Sequence, residues 1–288
     1  MRFILMLLVF AVISAYAFDI DGCNGLSVTA SAPVSSTDAD ITLSIEDTWE
    51  ITWCTQALGM DAWVNGSTIN IIFSSNTDMQ INSLDPATGT SAGAYDLIPE
   101  NGACFGVAWN NDLTTPVWHT DDWYDSVLYY TEDNFSTWQT VGNPAGCDGR
   151  GMDNDGNDYW ITKDDIGVYR FTPGAGSSFY AMPQVTSQMS GLTAFEYMGD
   201  ICVVVSCYLT SEWHFYIWEG GSSLTYLGSV PCPVASIFRS AGLTYCSYND
   251  HIYWSYATTP TSYSISEISF TIETALARGT WAGIKAGF

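Results

Sequence analysis

The sequence predicts an all-β protein built from one repeated unit, and three observations support this. A glycine followed by an apolar residue and then by small or apolar residues recurs five times. Short runs that alternate apolar and polar residues follow each glycine, with turn residues between them, as strands do. The glycines stand 47, 45, 40 and 51 residues apart, the length of one four-stranded β-propeller blade. They are Gly59, Gly106, Gly151, Gly191 and Gly242.

Each glycine opens a repeat of about four predicted strands. The first repeat runs from Gly59 to Pro99, and its strands are expected near 60–64, 68–74, 79–84 and 93–98. The next three repeats run over 106–144, 151–183 and 191–231. The fifth has its opening strand and runs at 251–256 and 262–272, but no obvious fourth strand.

The missing fourth strand predicts how the ring closes. Residues 48–53 alternate apolar and polar side chains and stand where the outermost strand of a preceding blade belongs. If they complete the fifth blade, the chain forms a single five-bladed propeller closed by an N-terminal strand, without exposed sheet edges. A six-bladed ring, with one blade built partly from residues 24–47, is the alternative.

The first 17 residues are typical of a secretory signal peptide. Arg2 is followed by an apolar run over 3–13, and Ala15-Tyr16-Ala17 has the form of a cleavage site. The run is too short to span a bilayer, which takes about 20 residues. We therefore expect a secreted protein, extracellular or periplasmic, with an N-terminal extension over 18–47, the propeller over 48–274 and a C-terminal tail over 275–288.

The charge of the chain excludes some classes of partner. With 31 acidic and 7 basic residues, the net charge is −24. Such a field repels nucleic acids and anionic membranes. We expect neither nucleic-acid binding nor membrane insertion, and an extracellular glycan or protein as the partner.

The eight cysteines, all beyond the predicted signal peptide, suggest disulfide bonds in an oxidising compartment. Eight cysteines allow 105 pairings, so the sequence does not fix them. Repeat logic favours a sequential scheme that joins Cys23 to Cys54 and Cys104 to Cys147. The same scheme pairs the four between 202 and 246 among themselves.

The repeats resemble those of secreted bacterial β-propellers of the YVTN/NHL-like kind. Ser83-Leu84-Asp85-Pro86-Ala87-Thr88-Gly89 is similar to their third-strand element. Tyr159-Trp160-Ile161 and Ile252-Tyr253-Trp254 are similar to their aromatic second strand. The resemblance covers about residues 48–272 and implies a fold but no reaction, because propellers host many functions.

Candidate binding residues lie in two sets of loops. In propellers the opening strand lines a central channel, and the loops leading into it share one face with the loops between second and third strands. Acidic, aromatic and histidine side chains are concentrated in the predicted loops of this face. The candidates are Asp78, His119, Asp121, Asp122, Trp123, Arg150, Asp164, Asp165, Glu212, Trp213 and His214.

This mixture of side chains suits carbohydrate recognition, since carboxylates hydrogen-bond hydroxyls and aromatic faces cover the C–H surface of a sugar. The sequence contains no H-E-x-x-H motif and no phosphate-binding glycine loop. The expected function is therefore that of an extracellular binding or scaffold module for a glycan or a protein. The alternative is a carbohydrate-active hydrolase or lyase that uses acids on the same face.

One stretch could hold a metal. Asp153, Asp155 and Asp158 surround Gly156 and offer hard oxygen ligands to calcium. The stretch lacks the glutamate that completes an EF-hand, and an Asn/Asp/Gly hairpin turn accounts for it equally. No other cofactor is expected.

Overall fold

The computed structural model describes residues 39–98, 102–110, 117–122 and 124–273. Within these residues, twenty strands form five antiparallel sheets of four strands each, arranged as a five-bladed β-propeller. The predicted fold and blade count are confirmed. Described helical structure is limited to one 3₁₀ turn, Gly146–Asp148, and no helix in this part of the chain could span a bilayer.

Blades 1 to 4 each use four consecutive strands, the first innermost. Blade 1 contains β2 (Met60–Asn65), β3 (Thr68–Ser75), β4 (Gln80–Asp85) and β5 (Thr90–Asp96). Blade 2 contains β6 (Cys104–Asn110), β7 (Val117–Asp122), β8 (Val127–Thr131) and β9 (Gln139–Gly142). Blade 3 contains β10 (Met152–Asn154), β11 (Tyr159–Lys163), β12 (Gly167–Phe171) and β13 (Ser177–Ala181). Blade 4 contains β14 (Met189–Tyr197), β15 (Asp200–Cys207), β16 (Glu212–Trp218) and β17 (Thr225–Pro231).

Blade 5 joins the two ends of the propeller. Its inner strands are β18 (Arg239–Cys246), β19 (His251–Thr259) and β20 (Ser262–Glu273), and its outermost strand is β1 (Asp40–Ile51). Strand β1 pairs antiparallel with β20 from Asp40 opposite Glu273 to Ile51 opposite Tyr263. Closure by an N-terminal strand is confirmed, and no sixth blade forms among the described residues. The strand begins at Asp40 rather than at Thr48, so it includes part of the stretch that the sequence analysis assigned to an extension.

The five repeat glycines lie where neighbouring inner strands approach most closely. A Cβ atom added to any of them would come closer than 3.0 Å to the inner strand of the next blade. Gly59 meets Phe105, Gly106 meets Arg150, Gly151 meets Leu192, Gly191 meets Ala241, and Gly242 meets Leu58. The contacts therefore run round the whole ring. We call this the glycine end of the channel; the inner strands run from it to the opposite carboxylate end.

A buried hydroxyl from each second strand accompanies each glycine. Ser74 and Ser255 donate to the carbonyls of Phe105 and Leu58 in the next blade. Thr120 donates to the carbonyl of Gly106, and Thr162 accepts hydrogen bonds from the N–H groups of Arg150 and Gly151. Ser206 occupies the same position in blade 4, but its hydroxyl makes no hydrogen bond. At four of the five close contacts, a buried hydroxyl therefore hydrogen-bonds backbone groups of the inner strands.

The hydrophobic core is divided into five clusters, one at each interface between neighbouring blades. Between blades 4 and 5, for example, Trp213 packs edge-on against Trp254 with ring centroids 5.6 Å apart. Since each sheet buries both faces against its neighbours, each blade depends on the closed ring for its core.

The sequential disulfide scheme does not form. Six cysteines are free thiols: Cys54, Cys104, Cys202, Cys207, Cys232 and Cys246. Cys104 lies on β6 with its sulfur 2.6 Å from the Thr120 hydroxyl, so it is not joined to Cys147. Cys147 is disulfide-bonded.

Candidate functional site

Each inner strand carries a side chain of interest two positions after its repeat glycine. This position lies just beyond the point where the strand contacts its neighbour. The five residues at this position are Asp61, Ala108, Asp153, Thr193 and Thr244. All five are buried. Two of the five blades therefore carry a carboxylate at a position where the others carry a methyl or hydroxyl group.

Asp61 connects three inner strands. Its carboxylate accepts hydrogen bonds from the N–H groups of Ala62 on its own strand and Trp109 on β6. The Thr244 hydroxyl on β18 donates to the same group at 3.3 Å. These donors fix the side chain in one position.

Asp153 makes the equivalent contacts between blades 3 and 4. One of its oxygens accepts hydrogen bonds from the Thr193 hydroxyl at 2.6 Å and the Ala194 N–H at 2.8 Å. The other accepts from the N–H of Asn154 at 2.8 Å. Like Asp61, it is held by backbone groups rather than by a basic side chain.

The two aspartates belong to strands that are not neighbours in the ring, yet they interact. Cα atoms of β2 and β10 come within 8 Å of one another across the channel. Burial raises the pKa of both carboxyls, and the negative charge of Asp61 raises the pKa of Asp153 further. Because each carboxylate opposes ionisation of the other, the pair resists carrying two negative charges at once.

Both aspartates line a cavity of about 500 Å³ that opens at the carboxylate end. Trp109, Phe195 and Tyr245 contribute aromatic surface to it, and Tyr245 stacks on Phe195 with ring centroids 4.0 Å apart. Asp155 and Glu196 also line it, and none of its described lining residues is basic. We call this space the channel cavity. Its combination of carboxylates and aromatic faces suits a neutral or cationic polar ligand.

The predicted site residues that the structure describes lie at or near the other end of the channel, where most of them have structural contacts. Asp78 accepts hydrogen bonds from Ser75 and from the Thr55 N–H and hydroxyl. These bonds outweigh partial burial and lower its pKa. The residue ties two loops together.

The predicted loop 119–125 is partly strand. Strand β7 extends to Asp122, and Asp121 is buried with one oxygen accepting from the N–H groups of Phe105 and Gly106. Burial raises its pKa well above the ordinary value. Asp122 caps a turn by accepting from the Tyr124 N–H. Trp123 lies outside the described residues.

His119 does not share a surface with these acids. It is buried between blades 2 and 3, with its ring 4.4 Å from that of Tyr159 and 5.3 Å from that of Tyr130, centroid to centroid. Burial lowers its pKa to about 3, so it is neutral at physiological pH.

The predicted set 212–214 is divided between surface and core. Glu212 is exposed, whereas Trp213 is fully buried in the core between blades 4 and 5 and cannot bind a ligand there. His214 is also buried, which lowers its pKa, and its ring lies beside Tyr226. The prediction that Trp213 and His214 belong to a loop was wrong because β16 begins at Glu212.

The remaining candidates occupy the glycine end. Asp164 has φ of 45° in the turn between β11 and β12, and its neighbour Asp165 is exposed. Arg150 is buried, with its guanidinium carbon 5.9 Å from the ring centroid of Phe105 and 5.1 Å from that of Tyr208.

The three candidate calcium ligands have separate roles. Asp153 faces the channel, while Asp155 and Asp158 pair with Arg170 at 3.2 and 2.9 Å. Asp155 also accepts from the N–H groups of Asn157 and Asp158, as expected for a hairpin turn. In the part of the chain that the structure describes, no group of three or more His, Cys, Asp or Glu side chains is placed to hold a metal.

Sequence reasoning missed the channel cavity although the repeat contained a clue to it. Only Asp61 and Asp153 break the small or hydroxylated pattern at the second position after the glycine. A charged residue on a strand predicted to line the channel is a candidate functional residue. We expected function in loops and therefore overlooked the strand itself.

Comparison with known proteins identifies the fold and no family. No family model matches the sequence, and no curated protein matches it. The structure is similar to glutaminyl cyclase from Myxococcus xanthus, with a TM-score of 0.55, 11% identity, and 80% of this chain and 97% of that chain covered.

Two glycoside hydrolases are also similar. A thermostable family-43 glycoside hydrolase gives a TM-score of 0.55 at 8% identity, covering 80% of this chain and 94% of that chain. The GH43_1 enzyme from Xanthomonas citri, solved with xylose, gives 0.53 at 11% identity, covering 78% and 93%. At these identities the likeness shows the propeller fold alone.

Proposed function

We propose that this propeller is an extracellular binding module that holds the end of a glycan in the channel cavity. The observation that carries the proposal is the convergence of Asp61 and Asp153, from non-neighbouring blades, on one cavity with an aromatic wall. The predicted signal peptide supports an extracellular ligand. The predicted site residues at the glycine end are not part of this proposal.

The chemistry of the cavity supports a sugar. The aspartate pair and Glu196 provide acceptors for hydroxyl groups, and a protonated carboxyl of the pair provides a donor. Trp109, Phe195 and Tyr245 line the cavity and offer apolar surface to C–H groups. With four acids and no described basic residue in its lining, the cavity disfavours anionic ligands.

A specific observation favours a second candidate, hydrolysis of a glycosidic bond. Two neighbouring carboxyls with raised pKa values, each opposing ionisation of the other, are suited to act as general acid and as base or nucleophile. Two of the similar structures are glycoside hydrolases, which makes xylose-containing glycans the first substrates to test. In this reaction one carboxyl would protonate the leaving oxygen and the other would activate water or attack the sugar carbon.

The test is a screen of the purified protein on immobilised neutral glycans, followed by calorimetry. Glu196 is exposed and lines the cavity. Glu196→Gln should weaken binding of the identified glycan about tenfold, because a charge-assisted hydrogen bond is worth roughly 1.5–3 kcal/mol. Asp165→Asn, which removes the same charge at the glycine end, should leave the affinity unchanged.

Two results would contradict the proposal. One is that no neutral glycan binds at millimolar concentration, and the other is that bound glycan responds to Asp165→Asn but not to Glu196→Gln. Release of reducing ends by the wild-type protein, lost in both Asp61→Asn and Asp153→Asn, would establish the hydrolase. Binding of a glycan without release of reducing ends would support the binding module and not the hydrolase.

A further inference from the structure

We propose that a cleft between blades 2 and 3 is a second binding site, which takes a small neutral aromatic compound that carries a hydroxyl group, such as a phenol. The cleft encloses about 480 Å³. We call it the interblade cleft. None of its described lining residues also lines the channel cavity, so the proposal does not depend on the glycan site.

The interface between blades 2 and 3 is packed with smaller side chains than the other four. Its described core cluster contains no tryptophan, and its largest side chains are tyrosines and a phenylalanine. The core at each of the other interfaces includes at least two tryptophans, and we infer that their absence here leaves room for the cleft. These tryptophans are Trp49 and Trp53 between blades 5 and 1, Trp63, Trp109, Trp118 and Trp138 between blades 1 and 2, Trp160 and Trp218 between blades 3 and 4, and Trp213 and Trp254 between blades 4 and 5.

The interblade cleft opens at the carboxylate end. Inner strands end there, so the turns after the first and third strands of each blade lie on the same side of the ring. Blade 3 lines the cleft with both of these turns, at Asn157 and at Pro173. Asn110 and Asn157 line the cleft and directly follow Trp109 and Gly156, which line the channel cavity. The two spaces are therefore neighbours on one face.

Three rings form the wall of the cleft. The His119 ring lies nearly parallel to that of Tyr130, with centroids 5.3 Å apart, and 4.4 Å from the centroid of Tyr159. The Tyr130 hydroxyl donates to Gln139 at 2.9 Å, which holds that ring in place. Val141 adds apolar surface. Such a wall favours an aromatic ligand, because rings pack well against other rings and against aliphatic groups.

His119 adds a polar group to this wall. Its side chain is only 4% exposed, and its Nδ1 is buried without a hydrogen-bond partner among the described residues. Because burial lowers the pKa of His119 to about 3, the imidazole is neutral and offers one donor and one acceptor. A hydroxyl group can pair with either kind of nitrogen. The histidine therefore favours an aromatic ligand with a hydroxyl group over a plain hydrocarbon.

Charge restricts the ligand further. Glu132 lines the cleft and is exposed, and none of the described lining residues is basic. The whole chain has a net charge of −24. A carboxylate or phosphate would be repelled from such a surface, whereas a phenol, neutral at physiological pH, would not.

Binding is tested by titrating the protein with p-cresol and following the methyl NMR signals of Val117 and Val141, which line the cleft. We expect saturable binding with a dissociation constant of about 1 mM. Toluene, which lacks the hydroxyl, should bind about tenfold more weakly, and anionic benzoate should not bind. Shifts that do not saturate, or that lie away from the cleft, would overturn the site. Equal affinity for toluene or for cyclohexanol would overturn the class of ligand.

The role of His119 is tested by His119→Phe, which keeps an aromatic ring and removes both nitrogens. In this variant p-cresol should bind as weakly as toluene. The matched control is His214→Phe, because His214 is also a buried histidine beside a tyrosine but lies in blade 4, away from the cleft. The control should keep the tenfold preference for p-cresol. A preference that survives in His119→Phe would show that the imidazole does not bind the hydroxyl.

A second variant tests the cleft without changing the histidine. Val141→Phe adds a ring from strand β9 into the space and should abolish binding of both p-cresol and toluene, with a melting curve that shows the protein is folded. Wild-type affinity in this variant would show that the probes bind elsewhere. Together with the comparison of probes on the wild-type protein, this variant decides the proposal even where His119→Phe does not fold.

Discussion

The two ends of the channel are built from the same five strands and differ in what joins them. At the glycine end, backbone meets backbone, and hydroxyl groups from the second strands satisfy the exposed carbonyl and N–H groups. At the carboxylate end, side chains of the inner strands bridge the gaps and surround a cavity. The first arrangement holds neighbouring strands in direct contact, whereas the second places polar groups around a cavity.

A comparison within the carboxylate end shows that bridging does not require charge. The Ala194 N–H donates to Asp153, and the equivalent Tyr245 N–H donates at 2.9 Å to the hydroxyl of Thr193. Ala108 provides no acceptor at all at this position, and the ring still closes. Since threonine or alanine is sufficient for the fold, the two buried charges cost stability without structural need. That surplus of charge supports a functional role for Asp61 and Asp153.

The largest expected effect comes from breaking the backbone contact at the glycine end. Gly59→Ala would place a methyl group against the carbonyl of Phe105, in backbone that cannot move without opening the ring. We expect the free energy of unfolding to fall by about 3 kcal/mol, measured by urea denaturation.

Gly221→Ala is the matched control for this change. Gly221 has no neighbouring atom within 4 Å of an added Cβ and no positive φ, so the variant should lie within about 0.5 kcal/mol of wild type. Equal stability of the two variants would show that the close approach of the strands at Gly59 is not a constraint on the fold.

The second prediction concerns the charge at the carboxylate end. In the folded protein burial raises the pKa of Asp61 to about 7, whereas the unfolded chain titrates near 3.8. The folded state therefore holds protons that the unfolded state has lost, and this contribution to stability is present below about pH 4 and is lost as the pH rises through 7. The aspartate pair should lower the free energy of unfolding by roughly 3 kcal/mol between pH 4 and 8.

The double variant Asp61→Thr/Asp153→Thr copies the uncharged bridge of blade 4 and should remove this slope. Asp121→Asn serves as the comparison, because Asp121 is also buried with a raised pKa but lies at the glycine end. Asp121→Asn should remove only the part of the pH dependence of stability that Asp121 causes, and the part due to the aspartate pair should remain. A threonine double variant with the wild-type pH profile would show that the aspartates are not the titrating groups.

The fold was predictable because the close contacts between inner strands require glycine, and glycine is visible in the sequence. Only glycine fits at the five contacts, so its spacing gives the blade length and count. The missing strand of blade 5 was found by the same logic, although the start of β1 at Asp40 was not, because Ser44–Thr48 is largely exposed and carries little apolar pattern.

The candidate site was harder to predict because it depends on strand register and on burial. Trp213 follows turn-like residues and His119 precedes them, but both are buried within sheets that extend further than expected. The proximity of Asp61 and Asp153 joins residues from blades 1 and 3, and no local pattern reports a contact across the channel. The predicted cysteine pairs were wrong for the same reason, since equivalent positions in successive repeats belong to different blades.

The smallest effect tests the hydroxyl groups that accompany the glycines. Ser255 accepts a hydrogen bond from the Gly242 N–H at 2.7 Å and donates to the Leu58 carbonyl at 2.8 Å, so Ser255→Ala leaves two buried backbone groups unsatisfied. The free energy of unfolding should fall by about 2 kcal/mol. Ser206→Ala removes the equivalent hydroxyl from blade 4, where it makes no hydrogen bond, and should change stability by less than about 0.5 kcal/mol. If the two variants were equally destabilised, the loss would reflect packing at a crowded position. A difference between them would instead show that the hydrogen bonds of Ser255 to the backbone, and not the packing of its side chain, stabilise this end of the channel.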